Sequence, residues 1–384
     1  MRRLVIPERP DWRAEADRLG FTFHTADGEP YWDESAYYAF TLRQIEDDIE
    51  APTQQLLDMC YQAVDYVLSR EALLGRLRIP EFMWDYVRLS WRRRDRDLYG
   101  RFDLGYTGTA PVKLYEFNAD TPTGLFEAAV FQWLWLEERR ASGIVARRAD
   151  QFNSLHERLI AAWRGIGIAP ATLHFTCTRD SDEDRATVDY LRDCADQAGL
   201  ATKFLFIDEI GITRDDRFTD LDDAFITHLF KLYPWEWLAA ESFGRALPRD
   251  GTRFIEPAWK MILANKGLLA VLWEMFPNHP LLLPAFFEGD PAASLGRDYV
   301  RKPLLGREGA NVEMLGRETT RIGGPYGEEG CVLQALAPLP DFGGNRPVLG
   351  SWVIAGQAAG MGIREGRSAV TTNAARFVPH IILD

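Results

Sequence analysis

Cysteine is scarce in this sequence, and the cysteines that it has are not clustered. The 384 residues include four, at positions 60, 177, 194 and 331, and no two of them form a CxxC pair. The six histidines show no HxxxH or HExxH grouping. These absences argue against a disulfide framework and against a zinc site. The sequence also lacks the Cys/His or Ser/His pairing that a protein nucleophile would need.

Long hydrophobic runs and an excess of positive charge are also missing. Lys and Arg number 44 against 57 Asp and Glu, which gives a formal net charge of -13. A broad nucleic-acid surface needs the opposite balance. No apolar stretch is long enough to span a membrane, and the N-terminus shows no secretory signal. We therefore expect a cytoplasmic protein with reduced thiols and no nucleic-acid or membrane partner.

The composition itself is that of a soluble globular protein, with 46% hydrophobic and 26% charged residues. Between about residues 150 and 240 strand and helix patterns alternate. Leu173 to Cys177 reads as a strand, Asp182 to Gln197 as a helix and Lys203 to Ile207 as the next strand. This βαβ rhythm predicts an α/β fold with a parallel or mixed sheet.

Other elements follow from apolar spacing and turn residues. Apolar residues recur at three and four positions between about Ala51 and Leu77, which predicts a helix, and Trp84 to Trp91 predicts a short one. Residues 98–104 and 111–118 read as two strands joined by a Gly/Thr turn, hence a hairpin.

Four polar side chains fall on this predicted hairpin. Arg101 and Asp103 are two positions apart, and so are Glu116 and Asn118, so each pair shares one face of its strand. If the strands pair, the carboxylates and the amide offer oxygen ligands for Mg²⁺ bound with substrate phosphates. Arg101 then suits a phosphoryl group or a carboxylate. An exposed, salt-bridged sheet face accounts for the spacing equally well.

A short polar turn, 118–124, follows the hairpin and contains Thr121 and Thr123. It opens a helix, whose free N–H groups can hold an anion.

A second group of residues lies further along the chain. A strand carrying Lys302 leads into a loop with Gly306 and Gly309. Glycines let backbone amides approach phosphates, and a lysine adds positive charge. Lys266 lies on or near a helix start. The Walker motif GxxxxGK[ST] is absent. Taken alone, an ordinary surface turn and a solvated lysine explain these residues better than a phosphate site does.

Two further residues are candidates. Gln334 is the polar side chain of an apolar strand, Cys331 to Leu336, which could line an adenine pocket or simply belong to the core. Arg364 is expected in a Gly-bounded loop after a strand at 352–356, where it could clamp a phosphate or a carboxylate.

The order of these motifs resembles the glutathionylspermidine synthase family. The resemblance covers the chain from about residue 10 to the C-terminal segment around His380. The motifs that carry it are Arg101-x-Asp103, Tyr115-Glu116-x-Asn118-Ala-Asp-Thr-x-Thr, Lys231-Leu-Tyr-Pro-Trp-Glu236, Glu256-Pro-x-Trp-Lys, Asn265-Lys266, Val300-x-Lys302-Pro, Gly306-Arg-x-Gly309-x-Asn311 and Gly360-x-Gly-Ile-Arg364.

The resemblance implies an ATP-grasp fold, with nucleotide bound between two α/β subdomains and an N-terminal pre-ATP-grasp-like portion. It implies an ATP- and Mg²⁺-dependent ligase that activates a carboxylate as an acyl phosphate, which an amine then attacks. Its implied site residues have the following roles: Asp103, Glu116 and Asn118 for Mg²⁺, Lys266 and Lys302 with Gly306, Gly309 and Gln334 for ATP, Arg101 for the acyl phosphate, and Thr121, Thr123 and Arg364 for the acid substrate.

Two departures from the family concern the amidase domain and the substrates. Bifunctional members carry an N-terminal amidase domain, for which we expect no room here. Leu232 and Tyr233-Pro234 stand where well-studied synthases have a hydroxyl residue, which puts glutathione and spermidine in question. An ATP-dependent phosphotransferase on the same fold, or a degenerate nucleotide-binding module, remains an alternative.

We expect one integrated fold with three portions. Residues 1–97 form an N-terminal helical and extended portion, 98–250 a metal- and substrate-side α/β portion, and 251–384 the nucleotide-side portion.

Overall fold

The computed structural model of the chain describes residues 1–26, 28–109, 111–290, 295–307, 309–316, 319–368 and 375–383. In these ranges, no helix is both long and apolar enough to cross a membrane. The α-helices are α1 (Trp12–Arg18), α2 (Leu42–Ile45), α3 (Ala51–Leu68), α4 (Glu71–Arg76), α5 (Trp84–Arg92), α6 (Gln132–Ala141), α7 (Leu155–Gly165), α8 (Asp182–Gln197), α9 (Trp235–Ala240), α10 (Lys260–Leu263) and α11 (Leu268–Met275). Turns of 3-10 or π helix cover Glu46–Glu50, Glu81–Met83, Glu127–Phe131, Ile207–Glu209 and Gly244–Arg249.

The β-strands are β1 (Arg2–Val5), β2 (Thr25–Ala26), β3 (Glu29–Pro30), β4 (Ala36–Phe40), β5 (Tyr99–Gly105), β6 (Lys113–Asn118), β7 (Leu173–Cys177), β8 (Thr202–Phe204), β9 (Gly211–Ile212), β10 (Phe218–Thr219), β11 (His228–Leu232), β12 (Arg253–Ile255), β13 (Ala285–Phe287), β14 (Tyr299–Pro303), β15 (Glu313–Leu315), β16 (Thr320–Arg321), β17 (Cys331–Ala335), β18 (Arg346–Ile354), β19 (Gln357–Gly366), β20 (Arg376–Phe377) and β21 (His380–Ile382).

The predicted hairpin is confirmed, and it forms one edge of a central antiparallel sheet. The strand order of this sheet is β20-β19-β18-β5-β6. Every residue of β5 is buried, so its polar side chains must find partners inside the protein. On its apolar face, the ring of Phe102 stacks on the ring of Phe117 from β6, with centroids 3.9 Å apart. Arg101 and Asp103 lie on the opposite face of the strand.

A second antiparallel sheet, called the lysine sheet here, carries Lys302. Its strand order is β13-β17-β14-β15-β16. Val300 of β14 lies opposite Gln334 of β17, and Lys302 lies opposite Val332. Helix α11 packs against this sheet and against α3 of the N-terminal portion. The side chain of Asn265 adds a hydrogen bond to the carbonyl of Leu77.

The predicted βαβ rhythm is confirmed as a parallel sheet with strand order β12-β11-β7-β8. Helix α8 has the predicted bounds, and its N-cap Ser181 accepts a hydrogen bond from the amide of Asp184. A smaller sheet, β1-β4-β21, joins strands from the two ends of the described chain.

Two predicted elements are wrong in detail. The helix expected up to Leu77 ends at Leu68, because the Ser69 hydroxyl and the Arg70 guanidinium both donate to the carbonyl of Tyr66 and cap the helix. The loop expected around Arg364 is the strand β19. Its glycines are sites of close packing: a Cβ on Gly362 would stand 2.7 Å from the ring of Phe377.

The strands of the sheets cross the predicted boundary at residue 250. Strand β18 pairs with β5 in the central sheet, and β12 pairs with β11 in the parallel sheet. The three-portion division stays a prediction, within a fold whose sheets connect the second and third portions.

Candidate active site

One cavity of about 400 Å³ lies where the central sheet, the lysine sheet and the start of α8 meet. All of the candidate residues line it: Arg101, Asp103, Glu116, Asn118, Thr121, Thr123, Lys266, Lys302, Gly306, Gly309, Gln334 and Arg364. The structure thus brings together side chains that the sequence spreads over more than 260 positions. The role of each residue stays a prediction.

The hairpin register places the two acidic strand positions opposite each other. Asp103 of β5 faces Glu116 of β6, and Arg101 faces Asn118. The Asn118 amide donates to Glu116 Oε1 at 3.1 Å and to Asp103 Oδ2 at 3.4 Å. Two carboxylates and one amide therefore form a single group of oxygen atoms on the cavity wall.

Two arginines hold Asp103. Arg101 Nε lies 2.7 Å from Asp103 Oδ1, and Arg364 Nη2 lies 2.7 Å from Asp103 Oδ2. Arg101 also donates to the Thr123 carbonyl. Gly350 on β18 makes room for this arginine, because a Cβ there would stand 2.8 Å from Arg101 Cδ. The guanidinium of Arg101 is therefore fixed by packing as well as by charge.

Two lysines lie next to this acidic group. Lys302 is buried and donates to the Tyr115 carbonyl at 2.9 Å and to Gln334 Oε1 at 2.8 Å. The Gln334 amide in turn donates to the Leu114 carbonyl, so this residue positions the lysine. Lys266 donates to the Gly306 carbonyl at 2.7 Å and lies 3.1 Å from Glu116. The two lysines thus lie directly against the acidic group, Lys266 in an ion pair with Glu116 and Lys302 bonded to the backbone of β6.

The charges of Glu116 and of the two lysines shift one another's pKa values. Burial favours the neutral form of Glu116, but the charges of Lys266 and Lys302 and the Asn118 hydrogen bond outweigh it, and its pKa is lowered. Burial also lowers the pKa of Lys302 to about 8, with the charge of Glu116 opposing that shift. At neutral pH Glu116 is therefore ionised, and Lys302 remains largely charged.

The loop between β14 and β15 borders the cavity. Gly309 has φ +75°, a backbone conformation that favours glycine. Between the two loop glycines, Arg307 donates to the Thr121 hydroxyl and, at 2.8 Å, to Glu236 Oε1. Its guanidinium also lies 5.6 Å from the ring of Trp237. The loop is thereby tied to the turn after β6 and to helix α9.

The turn after β6 is anchored by hydrogen bonds to Asp120. Asp120 accepts a hydrogen bond from Lys231 at 2.6 Å and one from the backbone N–H of Trp235 at 3.0 Å. Both side chains of this ion pair are fully buried. The pair joins the end of β6 to the parallel sheet and to α9. It therefore fixes where Thr121 and Thr123 lie. The anion-holding role expected for this turn stays a prediction.

The donor set fits Mg²⁺ shared with phosphates and does not form a protein-only metal site. Among the residues that the structure describes, no cluster of three His, Cys, Asp or Glu side chains could hold a metal ion. Asp103, Glu116 and Asn118 supply two carboxylates and one amide oxygen. Mg²⁺ characteristically keeps water and substrate phosphate among its ligands and takes only one or two carboxylates from the protein.

Sequence reasoning missed several residues at the cavity. Arg307 lies between Gly306 and Gly309, and this place in a glycine-bounded motif was a usable signal. Glu183 and Trp237 also line the cavity. Tyr31 and Glu127 form a hydrogen bond beside it across 96 positions, a pairing that no local pattern predicts.

Comparison with known proteins gives a family match over almost the whole chain. Residues 3–383 match the family model described as "Glutathionylspermidine synthase preATP-grasp". A Haemophilus influenzae protein named "Putative acid–amine ligase" is 42% identical over 397 residues, with 99% of each chain covered. The trypanothione synthetase of Crithidia fasciculata is 29% identical over 83% of this chain and 52% of its own length.

The bifunctional glutathionylspermidine synthetase/amidase of Escherichia coli is 26% identical over 97% of this chain and 63% of its own length. The chain therefore spans about half to two thirds of these two longer relatives. Among solved structures, a glutathione synthetase-like effector from Globodera pallida aligns over 98% of both chains with a TM-score of 0.55 and 11% identity. With the family match, this likeness confirms the predicted ATP-grasp fold.

Proposed function

The chain belongs to the glutathionylspermidine synthase family, and from this premise we propose that it is an ATP-dependent ligase joining a carboxylate to an amine. The relatives described above are named as acid–amine ligases or as synthetases of this kind. The proposal extends to ATP and Mg²⁺ as cofactors, to the roles of the site residues and to the class of substrates.

One observation carries the proposal: an acidic group and two lysines adjoin one another in the lining of a single cavity. Asp103 and Glu116 are held by Arg101, Arg364 and Asn118 on one wall. Lys266 and Lys302 line the same cavity, and Lys266 lies 3.1 Å from Glu116. A nucleoside triphosphate needs cations around its phosphates and carboxylate oxygens for its metal, and this cavity offers both.

Lys302 and Lys266 would contact the phosphates of ATP, and the amides of the Gly306–Gly309 loop would cover them. Arg101, fixed by Asp103 and by the Thr123 carbonyl, would neutralise charge on the phosphoryl group as it moves to the substrate carboxylate. Asp103, Glu116 and Asn118 would hold Mg²⁺, which supplies charge neutralisation to the phosphates. The acyl phosphate that forms is then open to attack by an amine.

No protein nucleophile is required for this chemistry. What the protein must supply is positioning and the exclusion of water, because water would hydrolyse an acyl phosphate. The contacts of Arg307 with Thr121 and Glu236 hold the loop across the cavity. Loop closure therefore protects the intermediate until the amine arrives.

The substrates would be a small acid, such as a peptide like glutathione, and a small amine, such as a polyamine. Thr121, Thr123 and Arg364 line the cavity, and the acid is assigned to these residues in this proposal. Leu232 and Pro234, which depart from the family pattern, line the same cavity. Their position supports a proposal in which this chain uses a different acid or amine from its bifunctional relatives.

The test is ADP release from the purified protein with Mg²⁺-ATP, over a panel of acids crossed with a panel of amines. Glutathione and other peptides serve as acids, and spermidine, other polyamines and amino acids as amines. We expect ADP release to require one member of each panel, with an amide found by mass spectrometry. A phosphorylated acid or alcohol without an amide would instead establish a phosphotransferase, and failure to bind ATP would favour a degenerate module.

A further inference from the structure

A tyrosine–glutamate pair lies beside Arg101, and the chemistry proposed above does not use it. Tyr31 follows strand β3, and Glu127 lies in the π-helical turn before α6. The Tyr31 hydroxyl donates to Glu127 Oε1 at 2.7 Å. Glu127 is 1% exposed, while Tyr31 is only partly buried and keeps some accessible surface.

Gly124 leaves a gap that connects this pair to Arg101. A Cβ on Gly124 would stand 4.0 Å from Arg101 Nη1, 4.0 Å from the Tyr31 hydroxyl and 3.9 Å from the ring of Phe377. The hydroxyl and the guanidinium therefore border the same point in space. Arg101 also lines the cavity, which places the Tyr31 hydroxyl next to the cavity wall.

We propose that Tyr31 is a catalytic residue and that Glu127 acts through it, the two forming a proton relay for the attacking amine. This inference rests on the ligase function proposed above. The amine nitrogen gives its lone pair to the carbonyl carbon of the acyl phosphate, and the carbon–oxygen bond to phosphate breaks, with its electron pair leaving on phosphate. The nitrogen loses one proton to Tyr31 Oη while the Tyr31 proton passes to Glu127 Oε1.

The electrostatics around the pair suit this transfer. Burial raises the pKa of Glu127 to about 7, the charge of Glu183 adds to the shift, and the Tyr31 hydrogen bond and Arg101 oppose it. Burial also raises the pKa of Tyr31 well above its usual value, with Glu127 and Glu183 adding and Arg364 opposing. Tyr31 thus keeps its proton at neutral pH, and Glu127 can accept one and release it again, which is the condition for efficient general base catalysis.

The experiment separates formation of the acyl phosphate from its reaction with the amine. Positional isotope exchange in ¹⁸O-labelled ATP, with glutathione or the acid found in the screen and no amine, reports the first step. Amide formation with the amine found in the screen reports the second. Both are measured for the wild-type protein, Glu127→Gln and Tyr31→Phe. The matched control is Tyr66→Phe, which breaks a surface Tyr66–Glu274 hydrogen bond of 2.6 Å.

For Glu127→Gln we expect isotope exchange within about twofold of wild type and amide formation lower by roughly 10²- to 10³-fold, the range typical of general base catalysis. The wild-type rate of amide formation should rise with pH through about 7, and this inflection should be absent from the variant. Tyr31→Phe should behave likewise, and Tyr66→Phe should match wild type.

Two results would overturn the relay: amide formation by Glu127→Gln at the wild-type rate and pH profile, or loss of isotope exchange and amide formation together. The second would assign the pair to folding or acid binding. Failure of the ligase function itself has a different signature, namely no isotope exchange in the wild-type protein with any acid.

Discussion

The residues of the candidate site that lie on strands are held differently from those that lie on loops. Asp103 on β5 has Arg101 and Arg364 within 2.7 Å, and Lys302 on β14 has hydrogen-bond partners at 2.9 and 2.8 Å. Arg307 in the loop after β14 has one ion pair, with Glu236, and one bond to a hydroxyl. Its Nε atom is buried without a hydrogen-bond partner among the described residues.

This difference indicates a division of labour. The strand residues are oriented before any ligand arrives, so they cost little reorganisation during the reaction. The ion pair that holds the loop is partly exposed, with 27% of Arg307 and 20% of Glu236 accessible, so the loop can open for substrates to enter and close again. Changes on strands should therefore cause large losses of ATP binding or turnover, and changes on the loop should cause only small changes in apparent affinity.

The largest expected effect is that of Glu116→Gln. The change keeps the shape of the side chain but removes the charge that faces Lys266, and with it a proposed metal ligand. We expect kcat/KM for ATP turnover to fall by roughly 10³-fold, as for other groups that stabilise transition-state charge. Steady-state ADP release over a range of Mg²⁺ concentrations is the measurement.

Glu288→Gln is the matched control, since it breaks an acidic–basic pair with Arg301 elsewhere on the lysine sheet. Near-normal turnover in Glu116→Gln, with an unchanged Mg²⁺ requirement, would remove this residue from the metal site.

Lys302→Met should come next in size. It removes a buried charge proposed to contact phosphate and keeps a side chain of similar length. We expect affinity for ATP to weaken about 10- to 100-fold, in line with the loss of a hydrogen bond to a charged group. Equilibrium binding of ATP, measured by calorimetry, tests this. Arg301→Met changes the neighbouring residue on the opposite face of β14 and should bind ATP normally. Equal losses in both variants would argue for a general disturbance of the strand.

The loop contact should give a smaller and coupled effect. Arg307→Met and Glu236→Gln each break the ion pair that ties the loop to α9. We expect the apparent KM for the acid substrate to rise roughly two- to fivefold in each, because partly exposed ion pairs contribute little. The double variant should be no worse than either single one. Additive losses, or a fall in kcat/KM as large as that of Glu116→Gln, would contradict the distinction between strand and loop.

The smallest expected effect concerns the stability of the scaffold. His380 on β21 is fully buried, accepts a hydrogen bond from the Phe152 amide and lies 3.0 Å from Gln132 Oε1. Burial lowers its pKa from 6.5 to about 3. Below pH 6.5 His380 therefore binds a proton in the unfolded chain but stays neutral in the folded protein. The free energy of unfolding falls as the pH drops toward 3.

Between pH 7.5 and 5.5 this histidine should contribute a loss of about 1 kcal/mol. Urea unfolding of the wild-type protein and of His380→Asn at both pH values measures it as the difference between the two pH responses. Equal responses would contradict the assignment of His380 as the source of acid sensitivity.

Much of the strand half of the site could be predicted from the sequence, because alternation along a strand is a local rule. It placed Arg101 with Asp103 and Glu116 with Asn118, and the register then brought the pairs together. The glycines of β19 misled the same rule, since they read as a loop. In the structure they admit Phe377 and Leu155 to close packing, and Arg364 is a strand residue.

The contacts that escaped prediction are those made across long stretches of chain. Arg307 reaches Glu236 and Thr121 only after the loop, α9 and the turn have been placed by the fold. Tyr31 reaches Glu127 from the N-terminal portion in the same way. No spacing within one segment records such a contact, and the packing that creates it is distributed over the whole protein.

The central claim is that the substrate carboxylate is phosphorylated and then displaced by the amine. The most direct test is to supply an acid labelled with ¹⁸O in that carboxylate, together with Mg²⁺-ATP and the amine, and to examine the released phosphate by mass spectrometry. We predict one ¹⁸O atom in the phosphate for each amide formed. Amide formation with unlabelled phosphate, or ADP release with the label retained in a phosphorylated product, would contradict it.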